Sequence, residues 1–292
     1  MIGVATMPYL EIRGVKHYYQ WIRATEPPSP EAATKPVMIF LHGWAGSARY
    51  WESTAAALQD SFDCLLYDLR GFGRSKLPAS TMTDLADYEL ETYAEDLALL
   101  LDHFQLQRVY LNAHSTGTSI AVFFLNLYPE RVERAILTCA GIFTYDEPAF
   151  RQFHQFGGYV VKFRPPWLGK LPLLDRLFMA RFLHRPVPPA TRKAFLEDFL
   201  IADEAAALGT MFTAVSKKAA EVMPQEYAQL QVPTLLISGQ YDQIIPPLMG
   251  EQAAQLNPSH IQQKIIPNTA HFPMLEDAST YLTQVQQFLQ SQ

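Results

Sequence analysis

Residues 108–125, Arg-Val-Tyr-Leu-Asn-Ala-His-Ser-Thr-Gly-Thr-Ser-Ile-Ala-Val-Phe-Phe-Leu, constrain the fold more than any other stretch. They read as a short apolar strand, a sharp turn and an amphipathic helix. Ser115 falls at the turn. A serine there is exposed, strained and next to a helix N-terminus. That geometry presents its hydroxyl and places backbone N–H groups where an oxyanion would form. The local pattern is close to G-x-S-x-G, with Ala113 at the first small position. The turn needs a small residue there so that strand and helix can approach, and alanine is the next smallest after glycine. A serine N-cap on a buried helix has the same local sequence, so the rest of the chain decides between the two.

Two alternating apolar runs, Tyr9–Arg13 and His17–Arg23, predict an opening hairpin, followed by a polar, Pro-rich surface loop over 26–36. Further strands are predicted at Val37–Leu41, Phe62–Tyr67, Val109–Asn112, Val132–Cys139, Thr234–Ser238 and Ile261–Ile266. Helical spacing occupies Tyr50–Leu58, Pro246–Leu256 and Thr280–Leu289, and the helix after Ser115 ends before Pro129. Thr92-x-x-Glu95 reads as a capping box opening a helix with Tyr93, Leu97, Leu100, Leu101 and Phe104 on one face. Apolar strands alternating with amphipathic helices define an α/β fold, a mostly parallel sheet with helices on both faces. Residues 142–228 break the alternation, with no strand pattern, many aromatics and Pro165, Pro166, Pro172, Pro186, Pro188 and Pro189. They are expected to form a helical cap insertion over the C-terminal edge of the sheet, where open α/β sheets place their sites. Residues 1–141 and 229–292 then make up the core domain. There is no internal repeat.

Nucleophilic serine catalysis needs a base for the hydroxyl proton, an acid to orient that base, and donors for the oxyanion. Of eight histidines, His271 is the best base, because Asn268-Thr-Ala-His271-Phe-Pro lies between the last strand and the last helix. His42 follows a strand, but its neighbour Gly43 suggests a turn role, and His114, beside the serine, points the wrong way. Ser238-Gly-Gln-Tyr-Asp242 places Asp242 in the loop after the penultimate strand, as the acid or as an ordinary turn aspartate. The order Ser115, Asp242, His271 is one known solution to this geometry. The Thr116 N–H is the first expected oxyanion donor. The Trp44 N–H, in the Gly-rich His42-Gly43-Trp44-Ala45-Gly46-Ser47 segment, is the second. A phosphate loop is the rival reading of that segment, but neither G-K-[ST] nor G-x-G-x-x-G is present. Trp44, Phe143 and Phe272 are the expected substrate contacts. No His/Cys cluster has metal-ligand spacing, and no metal or organic cofactor is expected.

Together these segments resemble the α/β-hydrolase superfamily over nearly the whole chain. The resemblance is carried by His42-Gly43-Trp44, Asp68-Leu-Arg-Gly71-Phe-Gly73-Arg-Ser75, Ala-His-Ser115-Thr-Gly, Pro129-Glu-Arg-Val132, Ser-Gly-Gln-Tyr-Asp242 and Ala-His271-Phe-Pro. It implies an α/β-hydrolase fold: a mostly parallel eight-stranded sheet, a helical cap at 142–228, and triad roles for Ser115, Asp242 and His271. It also implies that Gly71 and Gly73 shape a turn beside the site. Dehalogenases and epoxide hydrolases of the superfamily resemble this chain with an Asp nucleophile, and Ser115 argues against both. Ala113 and Thr118 depart from the glycines many relatives carry. The implied activity is carboxylic ester hydrolysis by acyl transfer. Thioester, carrier-linked acyl ester, C–C bond and perhydrolase chemistry share the triad, and a non-catalytic protein binding a hydrophobic ligand is the alternative of another class.

The chain's −6 charge is uneven: residues 151–193 hold nine Lys or Arg against one acid, Asp175, leaving the remainder at −14. A solvated basic face explains this most simply. Peripheral contact with an anionic membrane, or docking of an acidic carrier protein or anionic substrate, are the sharper readings, and the aromatic-rich cap inclines toward a bulky, lipophilic ester. Nucleic-acid binding is not expected, because the basic stretch is interleaved with core-type residues. No run of 18 apolar residues and no basic start followed by an apolar run over Met1 to Tyr19 is present, so neither a transmembrane helix nor a secretory leader is expected. Cys64 and Cys139 fall in predicted buried strands as inert thiols, fitting a reducing, cytoplasmic location with peripheral membrane attachment if the cap meets lipid.

Overall fold

A computed structural model describes residues 8–25, 35–78 and 87–290. Most of the Pro-rich loop (26–34) and Met1–Met7 lie outside the described residues. The strands are β1 (Tyr9–Ile12), β2 (Val15–Ile22), β3 (Val37–Leu41), β4 (Asp63–Tyr67), β5 (Val109–His114), β6 (Val132–Thr138), β7 (Thr234–Gly239) and β8 (Ile261–Ile266). They form one eight-stranded sheet in the order β1-β2-β4-β3-β5-β6-β7-β8. The β1–β2 and β2–β4 pairs are antiparallel and every other pair is parallel.

The apolar runs in β3, β4 and β7 follow from burial on both faces, since every residue of each is buried. Side chains alternate across the pleat. In β3, Val37, Ile39 and Leu41 enter one core, whereas Met38 and Phe40 enter the other. The first core is covered by α2 (Leu90–His103), α3 (Thr116–Leu127), α8 (Lys217–Gln229) and α9 (Pro247–Leu256), and the second by α1 (Glu52–Leu58) and α10 (Ala278–Gln290). The edge strand β8 exposes Gln262 and Lys264, polar residues that discourage pairing with another chain.

The capping box is a correction. Helix α2 begins at Leu90 with Glu89 as its N-cap, so Thr92 already lies within the first turn. Asp87 organises this end instead: its carboxylate accepts from the Glu89 N–H at 2.8 Å and from the Thr92 hydroxyl at 2.7 Å. Cys139 is a smaller correction, buried one residue beyond β6 with a left-handed φ of +54°.

Between β6 and β7 the regular elements are all helical: α4 (Glu147–Lys162), α5 (Leu174–Met179), α6 (Pro189–Ile201), α7 (Glu204–Ala214) and α8. This insertion is fastened to the loops after β3 and β4, at the C-terminal edge of the sheet. The Ser47 hydroxyl donates to Asp198 of α6 at 2.6 Å, the Trp44 indole N–H to the Ala207 carbonyl of α7 at 2.8 Å, and the Asp203 N–H to the Gly71 carbonyl at 2.8 Å. Gly71 and Gly73 sit in a turn after β4 with φ of +81° and +52°. Asp68, fully buried, supports that turn by accepting from the Ala48 N–H at 2.8 Å, the Arg74 N–H at 2.8 Å and the Arg74 guanidinium at 2.6 and 2.9 Å.

Buried histidines tie stability to pH. His17 on β2 is fully buried, and burial, followed by the Arg70 charge, lowers its pKa to about 4 against the upward pull of its contact with the Asp68 carbonyl. A depressed histidine pKa stabilises the fold fully above the unfolded value of about 6.5, and that contribution is lost as pH falls toward the folded value. His17 therefore accounts for about 2 kcal/mol of lost stability between pH 7 and pH 5. Urea midpoints at the two pH values should show this fall, and His17→Phe should flatten it.

Candidate active site

Ser115 occupies the junction of β5 and α3 with φ +52° and ψ −126°, a strained backbone for a residue with a Cβ. Hydrogen bonds hold it there. Its N–H donates to the Thr138 carbonyl at 2.9 Å, and its carbonyl accepts from the Thr118 N–H at 2.7 Å and the Thr118 hydroxyl at 2.6 Å. Thr118, a departure from the related pattern, thus adds a bond to the turn. Gly117 is required by packing, because a Cβ there would lie 2.5 Å from the His42 carbonyl oxygen. Ala113 fits fully buried, paired with Leu41 and Leu137, so its methyl leaves the turn intact.

The structure brings Ser115, His271 and Asp242 together. His271 Nε2 lies 3.0 Å from Ser115 Oγ, and His271 Nδ1 lies 2.7 Å from Asp242 Oδ2. His271 and Asp242 are buried, whereas Ser115 is partly accessible. Asp242 Oδ1 also accepts from the Ile244 and Ile245 N–H groups at 2.8 and 3.1 Å. Burial pushes the Asp242 carboxyl up, but the His271 charge and hydrogen bond, with those two amides, outweigh it and hold it below the usual carboxylate range. An ionised Asp242 keeps the proton on Nδ1 and leaves Nε2 free to accept from Ser115.

The expected oxyanion donors flank the serine. Thr116 is the first residue of α3, whose initial N–H groups have no partner within the helix. Gly43, next to Trp44, approaches so closely that a Cβ on it would lie 3.0 Å from Ser115 Cβ. Neither the Thr116 nor the Trp44 N–H has an acceptor among the described residues. The Trp44 side chain is committed to the cap, its ring centroid 6.1 Å from that of Phe199. Phe143 is half-buried in the segment after β6. Phe272 is a correction: it is only 6% exposed, packed against Tyr50, His114, Phe182 and Phe195, and it backs His271 as part of the core.

Supporting residues that pattern reading missed lie behind the site. The Gly43 N–H donates to the Tyr50 hydroxyl at 2.5 Å, and that hydroxyl lies 3.0 Å from His114 Nδ1. His114 Nε2 lies 2.7 Å from the His271 carbonyl. Burial, followed by the His271 charge, lowers the His114 pKa well below its ordinary value. Neutral His114 with its proton on Nε2 therefore donates to that carbonyl and accepts from Tyr50. This chain links the Trp44 loop to the His271 loop. Glu276 adds a second tie: Oε1 accepts from the Ala270 N–H at 2.8 Å, while Oε2 accepts from the His184 and Arg185 N–H groups at 2.6 and 2.7 Å. His42 has the expected turn role, with Nε2 accepting from the Leu69 N–H at 2.8 Å and Nδ1 bonded to the Gly43 carbonyl at 2.8 Å. Tyr50 and His114 carried no sequence signal for this, because their partners are distant in the chain. Tyr50→Phe leaves the Gly43 N–H and His114 Nδ1 each without a partner, so unfolding experiments should show a loss of about 1–3 kcal/mol.

One group with metal-type donors occurs among the described residues: those of His114, Cys139 and His271 lie within 4.8 Å of one another. Both imidazoles are already engaged in hydrogen bonds, and burial pushes the Cys139 thiol well above its ordinary pKa. A protonated thiol beside two occupied imidazoles does not fit an ion.

A mostly parallel eight-stranded sheet, a helical insertion after β6 and a Ser–His–Asp chain at the strand ends define a class of protein. The chain belongs to the alpha/beta hydrolase fold family, whose model matches residues 36–278. It is similar to the AB hydrolase superfamily protein YisY of Bacillus subtilis, at 27% identity over 87% of this chain and 91% of the relative. It is also similar to the carboxylesterase YbfK of Bacillus subtilis, at 26% identity over 87% of this chain and 80% of the relative. Among solved structures, the enol-lactonase of Burkholderia xenovorans LB400 superposes with a TM-score of 0.78 at 18% identity, covering 97% of this chain and all of that one (100%), a likeness of fold. No helix among the described residues is long and apolar enough to cross a membrane.

Proposed function

We propose that this protein is a serine hydrolase that cleaves a carboxylic ester, bulky or lipophilic in its acyl part, through a Ser115–His271–Asp242 triad. The observation that carries the reading is the continuous chain Ser115 Oγ–His271 Nε2 at 3.0 Å and His271 Nδ1–Asp242 Oδ2 at 2.7 Å on a strained turn. In the first step His271 Nε2 takes the hydroxyl proton while Oγ bonds to the acyl carbon. The Thr116 and Trp44 N–H groups receive the negative oxygen. His271 then returns the proton to the leaving alcohol as the ester C–O bond breaks. Water, activated by the same imidazole, releases the acid from Ser115.

The similarity to a carboxylesterase supports the ester assignment. The lipophilic preference is supported by the aromatic rings on the cap side, where Phe182 lies 6.1 Å from the His271 ring and Phe178 lies 5.0 Å from Phe199. Reaction with a fluorophosphonate, followed by peptide mapping, should label Ser115. Turnover of p-nitrophenyl esters should rise in kcat/KM by about tenfold or more from acetyl to octanoyl. An optimum at acetyl would remove the lipophilic assignment. Absence of both labelling and turnover would leave a ligand-binding protein.

A further inference from the structure

The cap carries an outer surface that hydrolysis does not use. Along α4, Phe153, Phe156 and Tyr159 follow one another at helical spacing, with Phe163 at its C-cap, and their exposures are 45, 70, 75 and 72%. The chain continues through Trp167, Leu171, Leu173 and Leu177, at 54, 43, 71 and 73%. Scattered single apolar residues on a surface are ordinary, but eight large ones between residues 153 and 177 are not. Leu173 adds to the anomaly, because it takes a left-handed φ of +65° while its side chain stands in solvent. Its backbone caps α5, with its carbonyl accepting from the Leu177 N–H at 3.0 Å, but its side chain stays in solvent.

Cations alternate with these residues. Lys162 precedes Phe163, Lys170 precedes Leu171, Arg176 precedes Leu177, and Arg181 and Lys193 follow. All five are exposed, and none has an acidic partner among the described residues. The other basic side chains of the segment are spoken for: Arg151 pairs with Glu147, Arg185 with Asp277 and Arg192 with Asp175, while Arg164 reaches the Val161 carbonyl. Four of these cations, Lys162, Lys170, Arg176 and Arg181, thus fall in the same stretch as the eight apolar side chains, and Lys193 lies beyond it on α6.

We infer that the α4–α5 face of the cap, from Phe153 to Arg181, docks the protein on an anionic lipid surface, with the aromatic and leucine side chains in the headgroup–acyl boundary and the free cations against lipid phosphates. Side chains with seven-tenths of their surface in solvent project outward and do not line a groove, so they suit a fluid interface better than a shaped protein partner. Lys and Arg stems extend from the boundary to the headgroups, and the surplus of positive charge meets a negative surface potential. The inference is independent of ester hydrolysis, and its test uses lipids that cannot be hydrolysed as esters.

The experiment is co-sedimentation of the full chain with vesicles of ether-linked phosphatidylcholine, with and without ether-linked phosphatidylglycerol. Binding is expected to require the anionic lipid and to weaken as salt is raised. The variant F156S/Y159S/L173S/L177S should lose about tenfold or more in vesicle affinity, and K162E/K170E/R176E should lose roughly fivefold per site. All seven side chains are exposed, so both variants should keep the urea midpoint and the turnover of a short soluble ester. No sedimentation with anionic vesicles would overturn the inference, as would equal binding by wild type and both variants. A dimer dissolved by the serine variant without any vesicle binding would assign the face to a second copy of the chain and overturn it. Capture of an acidic acyl-carrier protein without vesicle binding would do the same.

Discussion

Ser115→Ala is expected to fold normally and to lose hydrolysis by on the order of 10⁴-fold or more in kcat. The substitution deletes the atom 3.0 Å from His271 Nε2 and leaves the turn's other bonds in place. Alanine carries the same Cβ as serine, so the φ of +52° costs it no more. Asp242→Asn should approach the same loss, for a different reason. Its amide would keep the Nδ1 contact but favour the imidazole tautomer with the proton on Nε2, which cannot accept from Ser115. The double variant should be little worse than Ser115→Ala alone, because residues acting as one unit are not additive. Steady-state kinetics on the best ester of the chain-length series, with circular dichroism to check folding, measures all three. Retention of wild-type turnover in Ser115→Ala would remove the proposed chemistry altogether.

Gly239→Ala is expected to damage both stability and activity, by about 3 kcal/mol or more in the first. A Cβ at the end of β7 would lie 1.9 Å from the Ala270 carbonyl oxygen and 2.7 Å from its carbon. Both are backbone atoms and cannot rotate away. Ala270 precedes His271, and Gly239 lies three residues before Asp242. Relief of the clash therefore separates the acid from the base. Thermal or urea unfolding reads the stability change. The drop in kcat should persist at temperatures where the variant is fully folded, which separates misplacement of the triad from simple unfolding. A folded variant with unchanged kcat would show that the 2.7 Å His271–Asp242 contact tolerates the shift.

The strand–turn–helix around Ser115 was legible because each part has a local cause: a buried strand must be apolar, the close approach beside His42 needs Gly117, and the helix needs its apolar stripe. Strands buried on both faces, such as β3 and β7, were legible for the same reason. The start of α2 was not, since Thr92-x-x-Glu95 satisfies the capping pattern while Asp87 takes the bonds two residues before Glu89. Phe272 was expected as a substrate contact, yet it packs with Tyr50 and Phe195 in the core.

Sequence alone determined the alternation of strands and helices and marked Ser115, Asp242 and His271 as the candidate chemistry. These are set by periodicity and by short motifs, which act over a few residues. Only the tertiary structure decided that His114 and Tyr50 bridge the Trp44 and His271 loops, that Glu276 ties Ala270 to His184 and Arg185, and that Phe156, Tyr159, Phe163 and Trp167 of the cap face outward while Phe195 and Phe199 are buried. Each of these depends on contacts between distant segments. The side chains concerned are equally compatible with a core, a surface or a site until packing selects one.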